Sequence, residues 1–196
     1  MFTGIVTSIG KITQAAPRDQ GLRLVVDAGM LDLSDVAPGD SIAVNGVCLT
    51  VIALHEDRFE VDVSQETINC TVGLDRPNEV NLEKSLRLSD RLGGHLMSGH
   101  VDGVGKVTRF EAAGESYLLA IRAPQDLAKY IARKGSITVN GVSLTVNRVQ
   151  GAEFEINLIP HTITVTNLKN LAAGSRVNLE VDLVARYIER LQHYGA

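Results

Sequence analysis

The chain contains no tryptophan, only two cysteines, and no apolar run approaching the roughly 20 residues of a membrane span. Cys48 and Cys70 are too few for a disulfide framework or a zinc site. A positive excess is also absent: 19 Lys and Arg against 23 Asp and Glu leave a net charge of -4, which argues against nucleic-acid binding. The first four residues lack the basic and apolar regions of a secretory signal. We therefore expect a soluble, cytoplasmic protein without a metal, a nucleic-acid partner or a membrane partner.

The strongest feature present is a long internal repeat. Residues 41–51, SIAVNGVCLTV, return at 136–146 as SITVNGVSLTV, 95 positions later and with nine of eleven residues identical. Near the end of each copy VNLE recurs, at 80–83 and at 177–180. A period this long indicates a duplicated domain, since solenoid repeats are much shorter. We predict two domains, 1–95 and 96–196.

Most of each copy consists of short strand-like segments separated by turn residues. Gly46 and Gly141 interrupt the third segment of each copy, which indicates a bulge or a sharp bend. Five or six short strands in about 95 residues favour a small closed barrel, because closure removes exposed strand edges. The predicted strands are 4–12, 22–27, 41–54, 58–62 and 79–82, then 99–109, 117–122, 136–149, 153–158 and 176–181.

Helical patterns are few. Residues 126–134 place three apolar side chains on one face before Gly135, and they predict a short helix. The clearest helix is predicted at 183–193, with an apolar stripe formed by Leu183, Val184, Tyr187, Ile188 and Leu191. This stripe either packs on the chain's own barrels or mediates self-association, and the sequence leaves both alternatives open.

The two copies differ where hydrogen bonding or proton affinity would change. Cys48 corresponds to Ser143, Ile5 to His100, Glu66 to His161, and Gly39 to Lys134. Two modules that only bind one ligand need not diverge in this way, whereas a donor site and an acceptor site must. His95 and His100 lie in the glycine-rich segment 93–103, where two imidazoles could exchange protons near neutral pH. A metal site there lacks a suitable third ligand.

Several segments resemble the riboflavin synthase family over essentially the whole chain. They are MFTGIV at 1–6, SIAVNGVCLTV at 41–51, GGHLMSGHVDG at 93–103, KGSITVNGVSLTV at 134–146 and IPHT at 159–162. The resemblance implies an all-β fold of two homologous six-stranded Greek-key barrels with short helices. It also implies a C-terminal α-helix, from about residue 183, that holds a homotrimer together.

The activity implied by the resemblance is the dismutation of two molecules of 6,7-dimethyl-8-ribityllumazine. A four-carbon unit moves from one molecule to the other and gives riboflavin and 5-amino-6-ribitylaminouracil, with no cofactor and no metal. The two pockets are expected to meet between neighbouring subunits, the N-terminal barrel of one facing the C-terminal barrel of the next. Lumazine synthase is a further partner that the family suggests.

The resemblance also implies the site residues. The first pocket is expected to be lined by Gly4, Ile5, Val6, Ser41, Cys48, Leu49, Thr50, Asp62, Val63, Ser64, Gln65, Glu66 and Thr67. The second is expected to be lined by Gly99, His100, Val101, Lys134, Ser143, Leu144, Thr145, Asn157, Leu158, Ile159, Pro160, His161 and Thr162.

Catalytic roles are expected for four of these residues and for Asp182. His100 is the first candidate for a proton shuttle, because a methyl group of the substrate must lose a proton and the adduct must later gain one. Lys134 is expected to stabilise the resulting anion. Ser143, Cys48 and Asp182 are expected to take part in nucleophile addition or orientation. The rival interpretation is a lumazine protein, which binds lumazine or flavin in the same fold and does no chemistry.

Overall fold

The computed structural model describes residues 1–194, which form two closed six-stranded antiparallel barrels. The first barrel has the strand order β1-β2-β5-β4-β3-β6, and it closes where β1 pairs with β6. Its strands are β1 (Ser8–Arg18), β2 (Gly21–Asp27), β3 (Ser41–Val44), β4 (Val47–Leu54), β5 (Arg58–Ser64) and β6 (Asn78–Lys84).

The second barrel repeats this topology with the order β7-β8-β11-β10-β9-β12. Its strands are β7 (Gly103–Ala113), β8 (Ser116–Arg122), β9 (Ser136–Val139), β10 (Val142–Gln150), β11 (Glu153–Leu158) and β12 (Arg176–Val181). Within residues 1–194, three α-helices lie outside the barrels: α1 (Gln65–Cys70), α2 (Pro160–Val165) and α3 (Leu183–Gln192). The predicted all-β, duplicated-barrel fold is confirmed.

Alternating apolar residues fill each barrel. Along β5, Phe59, Val61 and Val63 are buried while Asp62 and Ser64 face outward. Such period-two alternation places one side of a strand in the core and leaves the other for solvent or a ligand. Each barrel therefore has its own closed apolar core.

The prediction that Gly46 and Gly141 lie inside continuous strands is wrong. Each follows an asparagine in a two-residue hairpin turn, with φ of 50° at Asn45 and 81° at Gly46, and 48° and 82° at Asn140 and Gly141. Asn-Gly suits such a turn, because both central residues need a positive φ. The predicted strands 41–54 and 136–149 are therefore each a β-hairpin.

The short helix predicted at 126–134 is also wrong, because only Ala128–Tyr130 are helical, as one 3₁₀ turn. The terminal helix is confirmed as α3, which Asp182 caps by accepting a hydrogen bond from Val184 N. No helix in the part of the chain that the structure describes has both the length and the apolar character to cross a membrane.

The polar side of α3 attaches it to the second barrel. Glu189 contacts Lys129 and Tyr130, and Arg186 pairs with Asp102. The predicted apolar stripe points away, since Val184, Tyr187, Ile188 and Leu191 are all at least 50% exposed. Within this single chain, packing on its own barrels accounts for Leu183 alone, which is partly buried.

Candidate functional site

Two short segments cross between the barrels and build the candidate site. Gly4 O accepts a hydrogen bond from Ser143 N at 2.9 Å, and Val6 packs against the core of the second barrel. Gly99 O correspondingly accepts from Cys48 N at 2.8 Å, and Val101 packs against the first core. Each barrel is thus completed by the segment that precedes the other barrel's first strand.

This exchange corrects the expected grouping of residues. Gly4, Ile5 and Val6 were assigned to the first pocket, but Gly4 and Val6 contact the second barrel. Gly99 and Val101 contact the first barrel, which brings the segment of His100 to Cys48 and away from Ser143. The predicted strands beginning at 4 and 99 are accordingly wrong at their starts, since β1 begins at Ser8 and β7 at Gly103.

A hydrogen-bonded cluster of polar side chains lies beside Gly4 in the second barrel. His95 Nδ1 lies 2.6 Å from Ser143 Oγ, and His95 Nε2 lies 3.3 Å from Thr138 Oγ1. His95 is 8% exposed and Thr138 is 1% exposed. Both ring nitrogens of His95 therefore have hydroxyl partners, which fixes the orientation of the imidazole.

The first barrel has no equivalent of this cluster. Cys48 stands where the second barrel has Ser143, and Ala43 stands where it has Thr138. The two barrels thus present unlike chemistry at equivalent positions.

Burial lowers the pKa of His95 below its ordinary value, and the negative charge of Asp182 partly opposes that shift. A buried imidazole with a lowered pKa stays neutral near pH 7 and can accept a proton. Asp182 was predicted as a catalytic residue. It lies near enough to influence His95 through its charge while it caps α3.

Sequence reasoning singled out both histidines but gave the proton-transfer role to His100. His100 is exposed, and its side chain makes no hydrogen bond within residues 1–194, whereas His95 bonds directly to Ser143. No local pattern in the sequence separates the two histidines, because the contact of His95 with Ser143 spans 48 residues.

Lys134 has a left-handed backbone, with φ of 67°, at the position where the first barrel has Gly39 with φ of 101°. The same hydrogen bond forms in each barrel, from Lys134 N to Val146 O and from Gly39 N to Val51 O. A lysine is strained in this conformation and glycine is not, so the second barrel carries a backbone strain that the first barrel lacks.

The remaining predicted residues divide by the direction of their side chains. Leu49, Val63, Leu144 and Leu158 are buried in the barrel cores, so these four can face a ligand only through their backbone. Thr50 and Thr145 are exposed and pair across strands with Ser41 and Ser136. Those with side chains outside the barrel cores are Ser41, Thr50, Asp62, Ser64, Gln65, Glu66, Thr67, Thr145, Asn157, Ile159, Pro160, His161 and Thr162.

Some of these side chains already have partners. Asp62 forms two hydrogen bonds of 2.8 Å with Arg23, which lowers the pKa of Asp62. Ser64 caps α1 by accepting a hydrogen bond from Thr67 N. Asp62, Val63 and Ser64 border a cleft of about 530 Å³, while Ile5 and Ser41 border another of about 460 Å³. Five of the predicted residues thus border open surface clefts.

Comparison with known proteins places the chain among lumazine-binding proteins. The model of the lumazine binding domain matches twice, at residues 3–85 and 98–182. The chain is 46% identical to riboflavin synthase of Mycobacterium tuberculosis, covering 97% of this chain and 98% of that protein. It is 42% identical to riboflavin synthase of Brucella abortus over 99% of both chains.

Solved structures agree with the fold. LumP complexed with riboflavin superposes with a TM-score of 0.83 at 31% identity, covering 92% of this chain and 99% of that one. LumP complexed with 6,7-dimethyl-8-(1'-D-ribityl) lumazine superposes with a TM-score of 0.80 at 29% identity, with the same coverage.

Proposed function

This chain belongs to the riboflavin synthase family, and we propose that it converts two molecules of 6,7-dimethyl-8-ribityllumazine into riboflavin and 5-amino-6-ribitylaminouracil. The observation that carries the proposal is the unlike chemistry of two homologous barrels. His95, Ser143 and Thr138 are clustered in the second barrel, and the first has Cys48 and Ala43 at the equivalent positions. One ring donates a four-carbon unit and the other accepts it, so identical pockets would not suffice.

The reaction balances without an external reagent, because the two products together contain the atoms of two substrate molecules. The protein's contribution is to hold two rings against each other and to move protons. Orientation alone can supply several kcal/mol of barrier reduction, since it replaces an encounter in solution by contact of bound groups. The exchanged segments support this role, because they bring residues from both halves of the chain to each barrel.

We assign the proton-transfer step to His95. Its neutral imidazole accepts a proton from the substrate methyl group through Ser143 Oγ, which lies 2.6 Å from Nδ1, and returns it to the adduct by the same route. Lys134, whose strained backbone has no counterpart in the first barrel, stabilises the carbanion charge. Cys48 and the neighbouring His100 act on the other ring, and Asp182 favours the protonated state of His95 between the two transfers.

The active assembly in this proposal is a homotrimer. The stripe of Val184, Tyr187, Ile188 and Leu191 supports it, because α3 attaches to its own barrel by charged side chains and leaves these apolar ones uncovered. Apolar area of this kind is stabilised by contact with a second copy. The site is then completed between neighbouring subunits, first barrel against second.

Three further expectations belong to the proposal. The domain boundary lies near residue 95, between the last strand of the first barrel and the segment that leads into β7. The location is cytoplasmic, which cell fractionation tests. Association with lumazine synthase, which would supply the substrate, is tested by co-purification.

The test of function is direct. Purified protein is mixed with 6,7-dimethyl-8-ribityllumazine, and growth of the riboflavin absorption band is followed. We expect one riboflavin for every two lumazines consumed. The rival, a binding protein without chemistry, predicts a spectral shift on binding and no riboflavin. The full-length identity of 42–46% to riboflavin synthases, against 29–31% to LumP, favours the enzyme.

A further inference from the structure

Two buried carboxylates, Glu83 on β6 and Glu180 on β12, occupy equivalent places in the two barrels. Glu83 is 6% exposed and Glu180 is 1% exposed. Neither forms an ion pair with a side chain in the described residues 1–194. A buried carboxylate is costly unless hydrogen bonds replace its water, so each of these groups needs donors.

The donors come from the two exchanged segments. Glu83 accepts hydrogen bonds from Thr3 N and Thr3 Oγ1, both at 2.7 Å, and from Gly4 N at 2.9 Å. Glu180 accepts from Ser98 N at 2.7 Å, Ser98 Oγ at 2.6 Å and Gly99 N at 3.0 Å. Both oxygens of each carboxylate are used, so each one fixes two consecutive peptide groups as well as a hydroxyl.

The glycine whose N–H each carboxylate holds is also the residue whose carbonyl contacts the opposite barrel. Gly4 has φ of 77° and Gly99 has φ of 78°, and their carbonyls hold Ser143 N and Cys48 N. The approach is close: a Cβ added at Gly4 would lie 2.5 Å from Ser143 Cβ, and one at Gly99 would lie 2.7 Å from Cys48 Cβ. A small shift of either segment would therefore move the wall of a pocket.

We propose that Glu83 and Glu180 are positioning residues that act crosswise, Glu83 on the pocket of the second barrel and Glu180 on the pocket of the first. Glu83 belongs to the first barrel, yet it orients Gly4 against Ser143. Glu180 belongs to the second barrel and orients Gly99 against Cys48. This inference rests on the proposed function, since it concerns the two pockets of that reaction.

The experiment uses Glu83→Gln and Glu180→Gln in the full chain. Each carboxylate and the hydrogen bonds by which it holds its segment are here called the clamp. Glutamine keeps the shape of glutamate, but its side-chain NH2 group cannot accept a hydrogen bond from a backbone N–H group. Each variant therefore loses the hydrogen bonds on one side of its clamp. Glu79→Gln is the matched control, because Glu79 lies on the same face of β6 and its side chain is 46% exposed. We expect each clamp variant to lose about 10-fold to 100-fold in single-turnover rate, and the control to keep the wild-type rate.

Double mutants separate positioning from general loss of structure. Glu83→Gln and Ser143→Ala should be non-additive, because both act on the same pocket. The loss of single-turnover rate in the double mutant should be smaller than the product of the two single losses by a factor of about three or more. Glu83→Gln should be additive with Cys48→Ser. Glu180→Gln should show the reverse pattern. Additivity in every pair, equal coupling to both pockets, or wild-type rates in the clamp variants would overturn the proposal.

A second measurement keeps the test decisive where a glutamine variant does not fold, and it is independent of activity. In Glu83→Asp, which keeps the charge but is one methylene shorter, amide exchange at Ser143 should accelerate about tenfold or more and that at Cys48 should not. Glu180→Asp should accelerate exchange at Cys48 alone. Unchanged protection at both amides would overturn the crosswise clamp. If the wild-type protein makes no riboflavin, the proposed function fails, and amide exchange still decides the clamp.

Discussion

Replacing His95 with glutamine should greatly lower the rate of the chemical step while leaving the fold intact. His95 donates or accepts hydrogen bonds at both ring nitrogens, 2.6 Å from Ser143 Oγ and 3.3 Å from Thr138 Oγ1. Glutamine has a similar reach and can hydrogen-bond one of the two hydroxyls, but it cannot carry a proton at neutral pH. The variant therefore separates hydrogen bonding from proton transfer.

The expected magnitude follows from these contacts. A positioned general acid–base group contributes about 10²-fold to 10⁴-fold to the rate, which is about 3 to 5 kcal/mol of transition-state stabilisation. The loss of one buried hydrogen bond should cost about 1 kcal/mol of folding free energy, well below the stability of an ordinary domain. Turnover should thus fall by at least about 10²-fold in a protein that still folds.

Single-turnover kinetics and fluorescence titration of the same variant distinguish a chemical loss from a binding loss. Substrate affinity should change far less than turnover, which places the defect in the transition state. His100→Gln, at an exposed imidazole, should lose less, and His55→Gln, at a surface histidine paired with Glu60, serves as the control. A wild-type rate in His95→Gln, together with a large loss in His100→Gln, would refute the assignment.

Four other outcomes are expected. Gly4→Ala should lower turnover about tenfold, because its Cβ would lie 2.5 Å from a second-barrel side chain. Gly151→Ala is the control, because Gly151 has a similar φ of 59° but no atom within 4 Å of the added Cβ, and it should keep the wild-type turnover. Equal effects of the two substitutions would contradict the crowding argument. Ile188→Glu should give monomers in sedimentation while Gln192→Glu, outside the stripe, leaves the trimer intact; a trimeric Ile188→Glu would refute the role of α3. Riboflavin formation should survive exhaustive chelation and dialysis, and a strict requirement for an added metal or nicotinamide would end the cofactor-free proposal. Because the pKa of His95 is lowered in the native state, the native state binds fewer protons than the unfolded chain below pH 6.5. The free energy of unfolding should therefore fall as the pH drops from 6.5 toward the folded pKa of His95. Denaturant titrations should show a smaller fall in His95→Gln.

The duplication and most strand positions were predictable, because repeated segments and period-two alternation can be read directly from the sequence. The repeat at 41–51 and 136–146 defined two units, and the alternation at Phe59–Val63 matches the burial found in β5. Asn45-Gly46 is also a strong hairpin signal in the sequence, because Asn-Gly between apolar runs favours a two-residue turn. The prediction of a bend within one strand is wrong although the sequence contains this signal.

The sequence by itself thus determined that there are two similar barrels and that they differ at Cys48 and Ser143. Only the tertiary structure decided which segment completes which barrel. Thr3-Gly4 and Ser98-Gly99 have nearly the same sequence and meet equivalent carboxylates, so exchanged and unexchanged arrangements make the same kinds of hydrogen bond. They differ in the path of the chain between the barrels, which no local pattern encodes. The same path brings His95 to Ser143, which is 48 residues away in the sequence. The hydrogen bond between these two side chains therefore depends on the tertiary fold and could not be predicted from local sequence.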